Sequence, residues 1–415
     1  MTNPLQGKSW QLLLGIGVAL SLLTAPMAAF LMPPFAGMIG SSRDTMAIMF
    51  SVFGTLAMAV LVWRISPGIS WLVIAYLISA LNVGYQGLSM ENTQTLLWGV
   101  ALLLVLTEGW IAHKRTILWA LVAVTAVHLL VGASQYFVSS YGWPAPAGLV
   151  WRDPFFLTHA TVHEVEALTS HYSLFATFLV VGAPLLYLRL GWPILAIAAV
   201  VPLALQHRSG VALAVLGAFL LIPTRKRKLQ VLAVGLILIG LVLWSRGSFS
   251  GHYSQGWFDI SVWSGERMIV YTVTLAKALQ KWVLGWGPGT FYLWKPTFVN
   301  VHTKMGLTYL QAHNEYLQLF FETGLVGLLA VPVWAVHTWR RVRRAKPWTP
   351  ELRAAAASVI LMACFAAFSF PFRIGVTSTL AIIALAALHG ELAIVEREAA
   401  RNLANATAVV NGKRL

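Results

Sequence analysis

Hydrophobic positions along this chain come in long runs, not in alternation. Twelve apolar segments stand out, at 10–32, 45–63, 69–89, 94–112, 116–138, 167–188, 191–206, 209–223, 229–245, 315–337, 352–370 and 374–392. Most approach the ~20 residues that carry a helix across the hydrocarbon core of a bilayer. A barrel would show ten-residue stretches of alternating polarity, and none occurs. The pattern predicts an all-α polytopic membrane protein with about 12 transmembrane helices. The first segment is too long for the apolar core of a signal peptide and lacks a small-residue cleavage site, so it reads as a retained helix. Segments seven and eight are parted only by His207-Arg208-Ser209.

Two connections are long, 139–166 and 246–312. They set the expected organisation: residues 1–245 as transmembrane helices 1–9, 246–312 as a large loop domain between helices 9 and 10, 313–392 as helices 10–12, and 393–415 as a tail. Within the loop, residues 266–282 read as an amphipathic helix on the outer surface. Met268, Tyr271, Leu275, Leu279 and Trp282 recur there at three- or four-residue steps, and Arg267, Lys277 and Lys281 take other faces.

Composition agrees with the pattern. The 415 residues are 58% hydrophobic and 10% charged, against roughly 25% charged in a soluble domain. Basic residues concentrate in cytoplasmic loops. With the N-terminus inside and twelve alternating spans, most of the 29 lysines and arginines fall on the inner face. Among them are the two densest clusters, 225–228 and 340–344. Merging segments seven and eight would put those clusters on opposite faces, so the charge pattern predicts two helices there. Both termini are then cytoplasmic. The net charge of +15 reflects topology and anionic lipid headgroups; the cations sit at helix ends and are not interleaved with aromatics on a soluble module, which argues against a nucleic-acid partner. The minority of cations left outside, among them Arg43, Arg152, Arg208, Arg267, Lys277 and Lys281, points to an anionic substrate on that face.

Candidate chemistry is sparse. The single cysteine, Cys364, excludes a disulfide or a cysteine-based metal site. The outer histidines lack metal-ligand spacing, and no metal or cofactor is expected. Gly285-Trp286-Gly287-Pro288-Gly289 has the glycines of a dinucleotide loop but not the flanking strand and helix that such a loop requires; it reads as a tight turn. No nucleophile elbow or phosphate-binding nucleotide loop occurs. Two places remain. Arg208 sits at the tip of a short turn at membrane depth, where ionisable groups are costly and usually functional. Its alternative is contact with outer headgroups. His313 lies where the long loop gives way to an apolar segment, with Asn314 and Glu315 suited to a first helical turn and Glu322 buried behind them. A lone histidine there is structural as readily as catalytic.

In order along the chain, these residues resemble the family of O-antigen ligases and polymerases that use undecaprenyl-pyrophosphate-linked sugars. The features are the Leu205-Gln206-His207-Arg208-Ser209-Gly210 turn, the large outer loop with Arg267 and the Gly287-Pro288-Gly289-Thr290-Phe291 turn, and His313-Asn314 with Leu317-Gln318 running into Glu322-Thr323-Gly324. A serine is common in the family where His207 stands. The resemblance implies a bundle in the bacterial inner membrane whose periplasmic loop domain caps the active site. For the ligase branch it implies transfer of O-antigen polysaccharide from undecaprenyl pyrophosphate to a sugar hydroxyl of the lipid A core. His313 would then be the general base, with Arg208 and Arg267 stabilising the pyrophosphate. Arg43 and Arg152 are further candidates for substrate phosphates. Direct attack by the acceptor predicts inversion at the anomeric carbon. Open alternatives are an O-antigen polymerase, a protein O-oligosaccharyltransferase and, outside enzymes, a lipid-oligosaccharide flippase. The abundance of outer cations favours the ligase, whose acceptor is phosphorylated.

Overall fold

A computed structural model describes residues 40–63, 65–82, 86–141, 172–204, 207–222, 224–249, 267–294, 311–373 and 375–412. Every regular element among them is helical. They are α1 (Gly40–Trp63), α2 (Pro67–Leu81), α3 (Gln86–Tyr141), α4 (Tyr172–Leu190), α5 (Trp192–Ala204), α6 (Arg208–Leu221) and α7 (Arg225–Phe249). Then follow α8 (Arg267–Leu279), α9 (Glu315–Leu328), α10 (Ala330–Arg344), α11 (Pro350–Ala366) and α12 (Gly375–Gly412), with 3-10 turns at Thr290–Trp294 and Pro371–Arg373. The expected first segment lies outside the described residues.

By length and composition, two stretches suffice to cross a membrane, Leu88–Ser134 and Gly375–Thr407; a third is the pair α9 and α10 if it counts as one span bent by 64°. Five more apolar helices are shorter. The 13 residues of α5 reach only about 20 Å at the helical rise of 1.5 Å per residue. The all-helical class thus agrees with the pattern, whereas the span test stops at two or three.

Breaks account for part of the difference, alongside the shortness of the five apolar helices. Segments 94–112 and 116–138 run together in α3, bent at His113, whose φ of −138° and ψ of 33° are not helical. The segment 315–337, expected to be one helix, divides into α9 and α10. Pro332 in the first turn of α10 has no N–H to continue the ladder from α9. By contrast, the expected division between segments seven and eight is present. His207 caps α6, its Nδ1 accepting from Gly210 N at 3.0 Å. Serine, asparagine and aspartate commonly fill that role at helix starts.

The chain forms two compact units. The first comprises Met1–Val105 and Trp263–Arg344. Here α2 begins at an Ser66 cap followed by Pro67 and packs on α1, α9 and α10. Met58, Val62, Val73, Leu97 and Leu104 form one core cluster. Arg341 donates to Ile65 O at 3.0 Å and the Trp71 indole to Val326 O at 2.8 Å, tying α10 and α9 to the start of α2. The second unit comprises Leu106–Val262 and Ala345–Leu415. In it α4 lies against α11, α5, α6 and α12, and residues 175–186 of α4 are buried without interruption. A helix enclosed all round in this way reads as continuously apolar, not amphipathic.

The loop helix falls at Arg267–Leu279, within the predicted 266–282. Its packed face differs from the periodic apolar set. Val270, Thr274 and Ala278 are buried, whereas Met268, Leu275, Leu279 and Trp282 are 46%, 45%, 56% and 54% exposed. Small residues face the protein because they let α8 approach α9 closely. The large apolar ones form an outward stripe, as a helix lying on a membrane surface requires.

Candidate functional site

In the first unit the site grows from the start of α9. Asn314 is the N-cap, its Oδ1 accepting from Leu317 N at 3.0 Å. The residue before it, His313, has φ of 52°, a left-handed conformation that costs a non-glycine residue about 1–3 kcal/mol and persists only where neighbours enforce it. The enforcing contacts are specific. Gln318, one turn into α9 and 2% exposed, accepts from Ala312 N at 3.0 Å through Oε1. Its Nε2 donates to Gln311 Oε1 at 2.7 Å and to Glu322 Oε1 at 3.0 Å. One amide thus uses both donors and an acceptor, as burial demands. From α8, Tyr271 Oη donates to His313 O at 2.9 Å.

Tyr271 also links the two candidate residues of this unit. Burial raises its phenol above the ordinary value, and the Arg267 guanidinium one turn earlier pulls it partly back. Tyr271 therefore feels the Arg267 charge and holds the His313 backbone, so Arg267 and His313 come to one tyrosine although a long loop separates them in sequence. Both side chains are half-buried, where a guanidinium can meet an anion and an imidazole can exchange a proton.

Beneath His313, α9 is broken at Gly324 (φ 63°, ψ −163°), and the Gly285-Trp286-Gly287 segment fills the break. In an uninterrupted helix Leu325 N would donate to Phe321 O and Val326 N to Glu322 O. Here Trp286 N takes Phe321 O at 2.9 Å and Gly287 N takes Glu322 O at 2.9 Å. In exchange Leu325 N donates to Trp282 O at 2.7 Å and Val326 N to Val283 O at 3.2 Å. Ser79 of α2 adds its hydroxyl, 2.6 Å from Leu284 O and 2.8 Å from Glu322 O. The exchange brings two backbones into contact: a Cβ on Gly285 would collide with the Glu322 carbonyl, and one on Gly324 with Val283 O. The sequence reading of 285–289 as a tight turn missed this role, and it missed Ser79. The glycines were visible; that they mate with each other was not.

Trp286 then anchors an aromatic cluster. Its indole N–H donates to Lys277 O at 2.9 Å, its ring meets Trp294 edge-on at 4.5 Å and stacks towards Phe321 at 6.4 Å. Phe321, Phe291, Ala312, Val270 and Ala278 form the core below. Lys277 Nζ lies over Trp294 at 4.1 Å and over Trp286 at 5.4 Å, and Lys281 Nζ over Trp286 at 4.5 Å.

The side chains of the other expected residues lie outside the described residues. Arg208 is the first residue of α6, in the second unit, and its side chain lies outside the described residues. Arg43 is in α1 with its side chain likewise outside, and Arg152 is outside altogether. Among the described residues no His, Cys, Asp and Glu gather as metal ligands.

Residues 174–331 match the model of a family described as O-antigen ligase. That span takes in α4 to α9, with Arg208, Arg267 and His313. No curated protein matches the chain. The match and the apolar helices together support a membrane protein with glycosyl-transfer activity of the O-antigen ligase or polymerase type.

Proposed function

We propose that this chain, with the O-antigen ligase signature over residues 174–331, is an inner-membrane glycosyltransferase. It moves O-antigen polysaccharide from undecaprenyl pyrophosphate to a sugar hydroxyl of the lipid A core, working at the periplasmic face. The observation that supports the reading is the hydrogen bond from Tyr271 of α8 to the His313 carbonyl at the start of α9, with Arg267 one turn before Tyr271. His313 accepts the proton of the acceptor hydroxyl as general base. The acceptor oxygen attacks the anomeric carbon, the bond from that carbon to the phosphate oxygen breaks, and the electron pair leaves with undecaprenyl pyrophosphate. Arg267 meets the charge that grows on the leaving group through paired N–H donors, a role the resemblance also implies for Arg208. One displacement inverts the anomeric carbon. The two guanidiniums supply the charge neutralisation that a divalent cation supplies in other phosphate chemistry. Arg43 and Arg152 are reserved for phosphates of donor or acceptor.

The membrane arrangement belongs to the same proposal. About twelve apolar segments cross, the shorter helices doing so in bent or paired form, with both termini cytoplasmic. Reconstitution in proteoliposomes with lipid-linked glycan and lipid A core, without nucleotide, tests the reading. Glycan on lipid A is the expected product. Lengthened lipid-linked glycan would instead make the protein a polymerase, and translocation without a new bond a flippase.

A further inference from the structure

The loop helix carries two cations that the transfer chemistry above does not use. Lys277 and Lys281 are one turn apart, a spacing at which like charges repel. Neither has an ion pair among the described residues. Their stems are not merely shielding an apolar surface: both ammonium groups are drawn over the same Trp286 ring, and Lys277 also over Trp294. Ring faces attract cations but leave their charge uncompensated. The Trp294 ring offers one thing more. Its Nε1 is buried and has no hydrogen-bond partner among the described residues, a state that buried N–H donors rarely keep. Two held ammonium groups and an N–H donor on adjoining rings are what an oxyanion on a sugar would need.

We propose that Lys277, Lys281, Trp286 and Trp294 form a second anion site, for a phosphate group borne on the acceptor saccharide. By helical spacing Lys277 shares the face of Arg267, Val270, Thr274 and Ala278 and lies about 15 Å along α8 from Arg267, and Lys281 follows in the turn after α8. The site is therefore separate from the pyrophosphate position, at a distance a short oligosaccharide spans. It is also rigidly joined to the general base. Trp286 packs on Phe321, and Phe321 shares a core with Ala312, the neighbour of His313. An acceptor phosphate seated on the lysines would set which hydroxyl reaches His313. The assignment to the acceptor rests on the transferase reading; the anion site itself does not.

The test uses the full chain in nanodiscs, labelled with 5-fluorotryptophan, with the Trp286 and Trp294 resonances assigned by Trp→Phe variants. Mannose 6-phosphate should shift both resonances saturably, neutral mannose neither. Lys281→Gln, a change at an exposed residue, should weaken that response, and the Lys277→Gln/Lys281→Gln pair should remove it. In the transfer assay the pair should raise KM for a phosphorylated acceptor by about tenfold with kcat retained, and should leave a dephosphorylated acceptor unaffected. Unmoved resonances, a response to phosphatidylglycerol nanodiscs but not to the sugar phosphate, or an unchanged KM would overturn the proposal. Wild-type protein that transfers nothing would sink the transferase reading while the resonances still report on the anion site.

Discussion

Two helices of this protein are interrupted beside buried polar groups, and they are mended in opposite ways. In α9 the break at Gly324 is closed by four main-chain hydrogen bonds exchanged with residues 282–287, with only the Ser79 hydroxyl added from a side chain. In α3 the bend at His113 is closed by side chains. Trp110 on one side of it and Lys114 on the other both reach Glu391 Oε1, at 2.8 and 3.0 Å, and Lys114 lies 3.6 Å from Glu351. Glu391 is 2% exposed, a buried charge that is tolerated because it is paired and hydrogen-bonded. The second repair spends its ionisable groups on structure. The first spends none, so the titratable residues around α9 remain available for chemistry. On the proposed function, the contrast fits a break beside the candidate site built from glycines and a break in a supporting helix held by an ion cluster.

The largest effect should follow from spoiling the main-chain repair. Gly324→Ala or Gly285→Ala combines a positive φ with a collision against backbone and should cost on the order of 3 kcal/mol or more. Thermal unfolding in detergent should show the loss, and transfer should vanish with it. Next comes the side-chain repair. Glu391→Ala strands a lysine and an indole N–H and should cost about 3 kcal/mol, with Glu391→Gln milder because it still accepts from Trp110. Unlike the glycine variants, both should keep normal turnover per folded molecule. Equal damage to turnover would erase the contrast. A smaller effect is expected at α6, where His207→Ala should lose about 1 kcal/mol and His207→Ser almost nothing. A His207→Ser variant as unstable as the alanine would show that the ring does more than cap.

The smallest effect concerns Tyr271. Tyr271→Phe removes one hydrogen bond to His313 O, about 1 kcal/mol, and should slow turnover without abolishing it. Its pH dependence has a definite sign. A phenol whose value is raised on folding adds stability that is complete below the unfolded value of about 10 and is lost as pH rises through the folded value. The stability gap between wild type and Tyr271→Phe should therefore hold to about pH 9 and close above it, as read by denaturant unfolding across pH.

What could be read in the sequence was local. Runs of apolar residues gave the helical class, charge placement separated α5 from α6, and Asn314 announced the start of α9. The α8 boundaries were also near, and its periodic apolar stripe is the exposed one. Periodicity marks an apolar stripe without saying whether protein or lipid covers it, and here the stripe is outermost. The single helix expected over 315–337 is bent by 64° between α9 and α10, and hydropathy does not register a proline such as Pro332 inside an apolar run. Least legible was the pairing of Gly285 with Gly324, since each glycine alone reads as an ordinary turn and only tertiary structure joins them. Arg267 and His313 both lie in the first unit, and Tyr271 of α8 bonds the His313 carbonyl; that they share a site is part of the proposal.

The central claim is that His313 and Arg267 carry out the transfer. Its most direct test is turnover of lipid-linked glycan onto lipid A core in proteoliposomes containing equal amounts of wild type, His313→Ala or Arg267→Ala. Each variant should unfold at the wild-type temperature yet transfer at least roughly a hundredfold more slowly. Near-wild-type turnover in either would contradict the account.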